Sequence, residues 1–238
     1  SKNRLELKIE MISSQVSDSM NIFLFISLSF VPLGFIGNIL MFFVFRRPQL
    51  AKLSLSLYIQ SIALINLYTT INWIKIFYEI VYNFNILNES EFLCKTIMYT
   101  IYLAGPVSAW LQMAASIDRL FTIVYPARFK LIEKTRFQIG VISLILLYNS
   151  AFYFHIFFDQ NILVLNSTDD SSNSTIISFK CENYNYRLLF ITDLVNNALL
   201  PFIGMLISSL ATYYGVVRIR QRSKKFIDSR RSCRVRLR

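Results

Sequence analysis

The sequence predicts an all-α integral membrane fold built from five transmembrane helices, and three observations carry that prediction. First, 54% of the 238 residues are hydrophobic, 15% aromatic and only 16% charged, a composition too apolar for an ordinary soluble domain. Second, the apolar residues gather into five uncharged runs, 22–45, 53–74, 96–117, 137–158 and 194–217, each at or above the roughly 20 residues that a helix needs to cross about 30 Å of hydrocarbon. Third, the Lys and Arg residues concentrate in alternate connections between the runs. A buried helix of a soluble protein is usually shorter and shows a polar stripe, and five such runs leave almost no polar face for water.

The first run follows an arm, residues 1–21, that carries Glu6, Glu10 and Asp18. It is longer than the apolar core of about 7 to 15 residues in a cleaved signal peptide and lacks a small-residue cleavage site, so it stays in the protein as helix one. The next runs give spans at 53–74, 96–117 and 137–158. The fifth span is drawn from 188 to 217, so the five-helix region covers 22–217 and a basic segment, 218–238, follows it.

Arg46, Arg47 and Lys52 lie between runs one and two, Arg128, Lys130, Lys134 and Arg136 between runs three and four, and a dense series from Arg218 to Arg238 follows run five. All three segments share one side. The other side holds fewer cations, Lys2, Arg4, Lys8, Lys95, Lys180 and Arg187, so the positive-inside rule puts the N-terminus out and the C-terminus in. The N-x-S/T acceptors at Asn88, Asn166 and Asn173 all fall in outer segments, which agrees with that orientation and with passage through a secretory pathway. The net charge of +11 is then an inner anchor facing anionic lipid headgroups rather than a nucleic-acid surface.

Of the three cysteines, Cys94 at the outer end of run three and Cys181 in the outer loop before run five sit in an oxidising compartment. A disulfide between them would pin that loop across helix three; the alternative is two unpaired thiols. Cys233 lies in the basic inner tail, as a plain thiol or a lipidation site. The outer loop 159–186 is long and polar and is expected to form a short hairpin before Cys181.

Asp118 and Arg119 stand together at the inner mouth of helix three. A charge in hydrocarbon costs about 2.5 to 3.5 kcal/mol on the lenient insertion scale, so such a pair implies mutual neutralisation, a polar partner, or a snorkelling pair at the interface. Here the chain resembles the rhodopsin-like (class A) G-protein-coupled receptors. Their third helix starts near a disulfide cysteine and ends in Asp/Glu-Arg-Tyr with a proline beyond; Cys94, Asp118-Arg119-Leu120 and Pro126 match that spacing. Gly37-Asn38 followed by Val44 is similar to the helix-one pattern, and SIALINL at 61–67 to the helix-two pattern. Cys181 takes the place of the loop cysteine and Pro201 that of the helix-five proline. The resemblance covers Gly34 to about Lys225.

It implies five helices of a seven-helix receptor bundle in the plasma membrane. Its ligand would be extracellular and its partner a cytoplasmic heterotrimeric G protein; no cofactor and no catalytic residue is expected. Asp118 would restrain Arg119 at rest, and release of Arg119 would engage the G protein. Asn38, Asn66 and Pro201 would serve helix packing, with Asn66 and Asn38 as a hydrogen-bonded pair. Leu120 replaces the usual Tyr, Asn66 the usual sodium-binding Asp, helix four has no Trp, and Ser209 stands where a Tyr is common, with Tyr213 and Tyr214 one turn on. No run matching helix six or seven follows Val217, so the chain is expected to be a receptor fragment ending in the third inner loop.

Amine receptors of the family carry an Asp where this chain has Ile101, which argues against an amine. The outer half offers Tyr99, Tyr102, Trp73, Tyr78, Glu79 and Asp193, and with the long acidic loop they favour a neuropeptide carrying a basic group. An enzyme is excluded by the lack of any nucleophile motif, phosphate loop or metal cluster, His155 being a lone histidine among apolar neighbours. The remaining rivals are a five-helix transporter or channel subunit and a truncated receptor that does not signal. Transporters show repeats and midplane charges, and this chain shows neither.

Overall fold

The computed structural model describes residues 29–51, 53, 55–82, 90–124, 135–169, 174–183 and 185–236. The chain folds as α1 (Ser29–Phe45), α2 (Ser56–Tyr82), α3 (Glu91–Val124), α4 (Thr135–Tyr153) and the short α5 (Ile156–Asp159). An antiparallel hairpin of β1 (Gln160–Asp169) and β2 (Ser174–Asn183) follows. A rod then begins with α6 (Tyr186–Asp193), widens into a π-helix at Leu194–Leu199 and continues as α7 (Leu200–Arg236).

Among the described residues, two helical stretches are long and apolar enough to cross a membrane, Thr135–Asp159 and Arg187–Gln221, and Ser29–Phe45 is a shorter apolar helix. Helices α2 and α3 are 27 and 34 residues long, longer than a span requires, but polar side chains dilute them. Those polar groups turn inward: Asn72 of α2 and Ser108 and Asp118 of α3 are buried. Large apolar side chains such as Leu33, Leu147, Phe202 and Ile207 face outward instead. A helix bundle that hides polar groups between its helices and shows apolar ones outside is suited to lipid rather than water.

Helix α3 is the axis of the bundle and packs on α2, α4 and α7. Its Val107 and Leu111 meet Tyr58 and Ile62 of α2 and Ile145 of α4, with Met41 of α1 packed against the cluster. Without a hydrophobic drive between helices in lipid, close approach through small residues supplies the contact. Gly204 of α7 lies so near Met113 of α3, and Gly215 so near Val124, that a Cβ at either would collide. Helix α1 ends against α2: the Phe45 carbonyl, one of the last four that its own helix leaves unpaired, accepts from Ser56 Oγ at 2.8 Å and Gln60 Nε2 at 3.1 Å.

The expected hairpin forms, and it runs through Cys181 rather than stopping before it: Gln160 pairs with Asn183 and Ile162 with Cys181. A Cys94–Cys181 disulfide, with Cα atoms 5.9 Å apart, ties β2 to the outer end of α3. Several boundaries differ from the sequence expectation: α2 runs on to Tyr82, α3 begins at Glu91, and α4 stops at Tyr153. Helix α3 continues past Asp118 and Arg119 to Val124, because no Gly or Pro interrupts Leu120–Val124 and two adjacent charges do not stop a helix; Thr122 Oγ1 donates to the Asp118 carbonyl at 2.8 Å. The basic segment expected as an inner loop is helical through Arg236.

Candidate functional site

At the inner end, Asp118 is 4% exposed and Arg119 is exposed. Neighbours on a helix point about 100° apart, so α3 turns the acid into the bundle and the arginine away from it. Asp118 borders a cavity of about 270 Å³ walled by Tyr58 of α2, Trp110 and Phe121 of α3, and Phe137 and Ile145 of α4. The Tyr58 hydroxyl lies within the field of the Asp118 carboxylate. Pro126 lies outside the described residues.

The polar pair expected between helices one and two is rearranged. Asn38 Nδ2 donates to its own helix at the Gly34 carbonyl, 2.7 Å away, while Asn66 Oδ1 accepts from Ser108 Oγ of α3 at 2.9 Å. Helix three is the central element, and its serine reaches Asn66.

At the outer end, the structure brings three of the named pocket residues together around Tyr153 of α4. Tyr99 and Tyr102 pack against a buried cluster of Tyr153, Ile156 and Leu189. The Tyr99 hydroxyl donates to the Ser150 carbonyl at 3.0 Å, and the Tyr153 hydroxyl donates to Asp193 Oδ1 at 3.4 Å. Ile101 is half-buried on α3. Trp73 stands apart on α2, 42% exposed. Tyr78 and Glu79 fall in the last turns of α2, Asn166 in β1 and Cys233 in α7; the side chains of these four, and Asn88 and Asn173 altogether, lie outside what is described. Lys95 at the mouth of α3 pairs with Glu91 at 2.6 Å.

Between the two ends sits a polar cluster that the sequence reading passed over. Pro201 has no N–H to donate, and a proline inside a helix frees carbonyls on the preceding turn. The turn before it is the π segment, whose closing bond runs from the Leu200 N–H to the Val195 carbonyl. A π turn carried one residue further would give the Asn196 carbonyl to Pro201, which cannot bond it. That carbonyl is satisfied from another helix: Trp110 Nε1 of α3 donates to it at 3.0 Å and to Asn196 Oδ1 at 3.2 Å, as lipid burial demands. Tyr148 donates to the same Oδ1 at 3.1 Å, and Asn196 Nδ2 donates to Asn149 Oδ1 at 2.9 Å. Asn149 and Asn196 are fully buried. Helix four lacks the family's tryptophan, and here Trp110 of α3 meets Tyr148 of α4 edge to face, centroids 5.2 Å apart. The signal was present in the sequence: two asparagines, Asn196 and Asn197, inside an uncharged run just before a proline, where an amide must find a partner.

Ser209, Tyr213 and Tyr214 lie on the outer surface of α7, the two tyrosines 65% and 67% exposed.

A comparison with curated proteins finds none that matches the chain. The model of the 7 transmembrane receptor (rhodopsin family) matches residues 37–236, a stretch that takes in α3, the hairpin and the whole rod. The chain therefore belongs to the rhodopsin family of seven-transmembrane receptors, multi-pass helical membrane proteins that are receptors and not enzymes.

Proposed function

We propose that the chain carries the signal of an extracellular ligand across the plasma membrane to a cytoplasmic heterotrimeric G protein, and that the ligand is a peptide with a basic group. All five helical segments cross the bilayer in this reading, with the N-terminus outside, the basic end of α7 against the anionic inner leaflet, and Asn88, Asn166 and Asn173 glycosylated. The observation that carries it is the division of the Asp-Arg pair, in a chain of this family: Asp118 is 4% exposed while Arg119 is exposed. A buried acid beside an accessible arginine is an element with two arrangements that an outer ligand can bias through differential affinity. Asp193, beside Tyr102 and Tyr153, supports the preference for a basic ligand, since an acid at a span's edge faces a cavity or a partner.

Arg119→Ala tests the reading. In cells expressing a complete seven-helix receptor that contains this chain, nucleotide exchange on the G protein stimulated by a panel of basic peptides is expected to be abolished, while binding of the active peptide at the cell surface is unchanged. Coupling that survives the substitution makes Arg119 an interface anchor only.

A further inference from the structure

Besides the Tyr148 hydroxyl on Asn196 Oδ1 at 3.1 Å, two rungs join α4 to the rod that carries Asp193. The inner one is the bond from Asn196 Nδ2 to Asn149 Oδ1 at 2.9 Å, both residues fully buried. The outer one is the Tyr153 hydroxyl on Asp193 Oδ1 at 3.4 Å, with Tyr153 also fully buried. Tyr153 follows Asn149 by one turn of α4, and Asp193 precedes Asn196 by just under one turn of the rod.

The rungs differ in kind. A bond between two buried amides fixes rotation about the helix axis as well as separation, because a slip of one residue would turn Asn196 away from Asn149 and leave its amide facing apolar surroundings. A hydroxyl on a carboxylate at 3.4 Å is long for its type, for which about 2.5 to 2.7 Å is usual, so a stronger donor exchanges with it readily.

We propose that Asn149 and Tyr153 are positioning residues for Asp193. Asn149 sets the rotation of the π segment, and Tyr153 holds the Asp193 carboxylate against α4 until the ammonium or guanidinium of a ligand displaces the hydroxyl. The pocket then contains its own competitor for the acid. This rests on the reading of Asp193 as part of the ligand site.

The test labels Asp193 in the intact chain in phospholipid nanodiscs, using a water-soluble carbodiimide and ethylenediamine as the cationic probe, with peptide mass spectrometry as readout and Asp159 as the internal standard. Tyr153→Phe removes one oxygen from a buried ring and leaves its packing. It is expected to raise labelling of Asp193 by about threefold relative to Asp159, the factor that corresponds to an average interhelical hydrogen bond in a membrane protein. Asn149→Leu is expected to raise it as well, by releasing the rotation. Labelling of Asp193 that is unchanged in Tyr153→Phe, or that rises together with Asp159, overturns the proposal, the second result meaning general loosening. The pocket reading fails separately: if Asp193→Asn leaves peptide-stimulated nucleotide exchange unchanged, Asp193 is not a ligand contact, whatever the labelling shows about the rungs.

Discussion

Around Asn196 helices α3, α4 and the rod are joined by directed hydrogen bonds, whereas toward Asp118 helices α2, α3 and α4 meet through apolar packing beside a cavity. In the first region Trp110, Tyr148 and Asn149 all engage one asparagine at 2.9 to 3.2 Å. In the second, Tyr58, Ile62, Val107, Leu111 and Ile145 form an apolar cluster, of which Tyr58 and Ile145 border about 270 Å³ of space. Hydrogen bonds specify rotation; apolar contacts in lipid tolerate sliding, because lipid tails are as apolar as the helix surface they replace. The rod is thus fixed in rotation by directed bonds at its π segment, while its inner half meets α3 through the close approaches of Gly204 and Gly215 and without such bonds, which makes the π segment its pivot point.

The largest expected effect lies outside both regions and sets the limit of the comparison. The Cys94–Cys181 bond closes a loop with a sequence separation of 87, for which the chain-entropy model gives about 4 to 5 kcal/mol. Cys94→Ser or Cys181→Ser is expected to reduce delivery to the cell surface severely, read by surface labelling of intact cells. Normal delivery and ligand binding in both variants would mean that the bundle alone holds the outer ends together.

The next effect probes packing directly. Gly204 is in contact with Met113 side-chain atoms at a distance that excludes a Cβ, so Gly204→Leu is expected to force α3 and α7 apart and to cost about 1 to 3 kcal/mol, the usual range for overpacking. The measurement is the thermal midpoint of the detergent-solubilised protein. Met113→Ala in the same chain is expected to restore part of the loss, because it empties the space that the new side chain needs. A midpoint unchanged by Gly204→Leu would show that the inner half of the rod yields without cost, which would strengthen the contrast with the fixed middle.

How much of this was legible in the sequence follows the same division. The uncharged runs, the hairpin before β2 closes on Cys181, and the pairing of Cys94 with Cys181 rest on composition and topology, which a sequence displays. The sequence sets Asp118 and Arg119 at the inner end of helix three, but that the acid is buried and the arginine exposed depends on the rotation of α3. Partner choice is another matter. Asn66 was expected to reach Asn38 and reaches Ser108 instead, because which of several inward-facing polar groups meet depends on helix rotation and depth. Trp110, Tyr148 and Asn149 converge from two helices on one carbonyl and one amide; each looks ordinary in its own run, and only the proline at 201 hints that a carbonyl needs help. Trp73, an aromatic named for the pocket by sequence, is 42% exposed on α2 and away from the Tyr153 cluster.

Trp110 belongs to both regions, and the smallest predicted effect uses that. Its indole N–H serves the Asn196 carbonyl while its ring borders the cavity beside Asp118. Trp110→Phe removes the donor and keeps most of the ring, so it deletes the directed contact and little of the packing. The expected cost is about 0.6 to 1.7 kcal/mol, from the average to the maximum measured for interhelical hydrogen bonds in a membrane protein. Faster hydrogen exchange is expected across the π segment, with exchange around Asp118 unchanged. Exchange rising equally at both ends would show that the middle and the inner end move as one body. The rod would then have no pivot, and a signal passing from Asp193 to Arg119 would require rigid displacement of the whole helix.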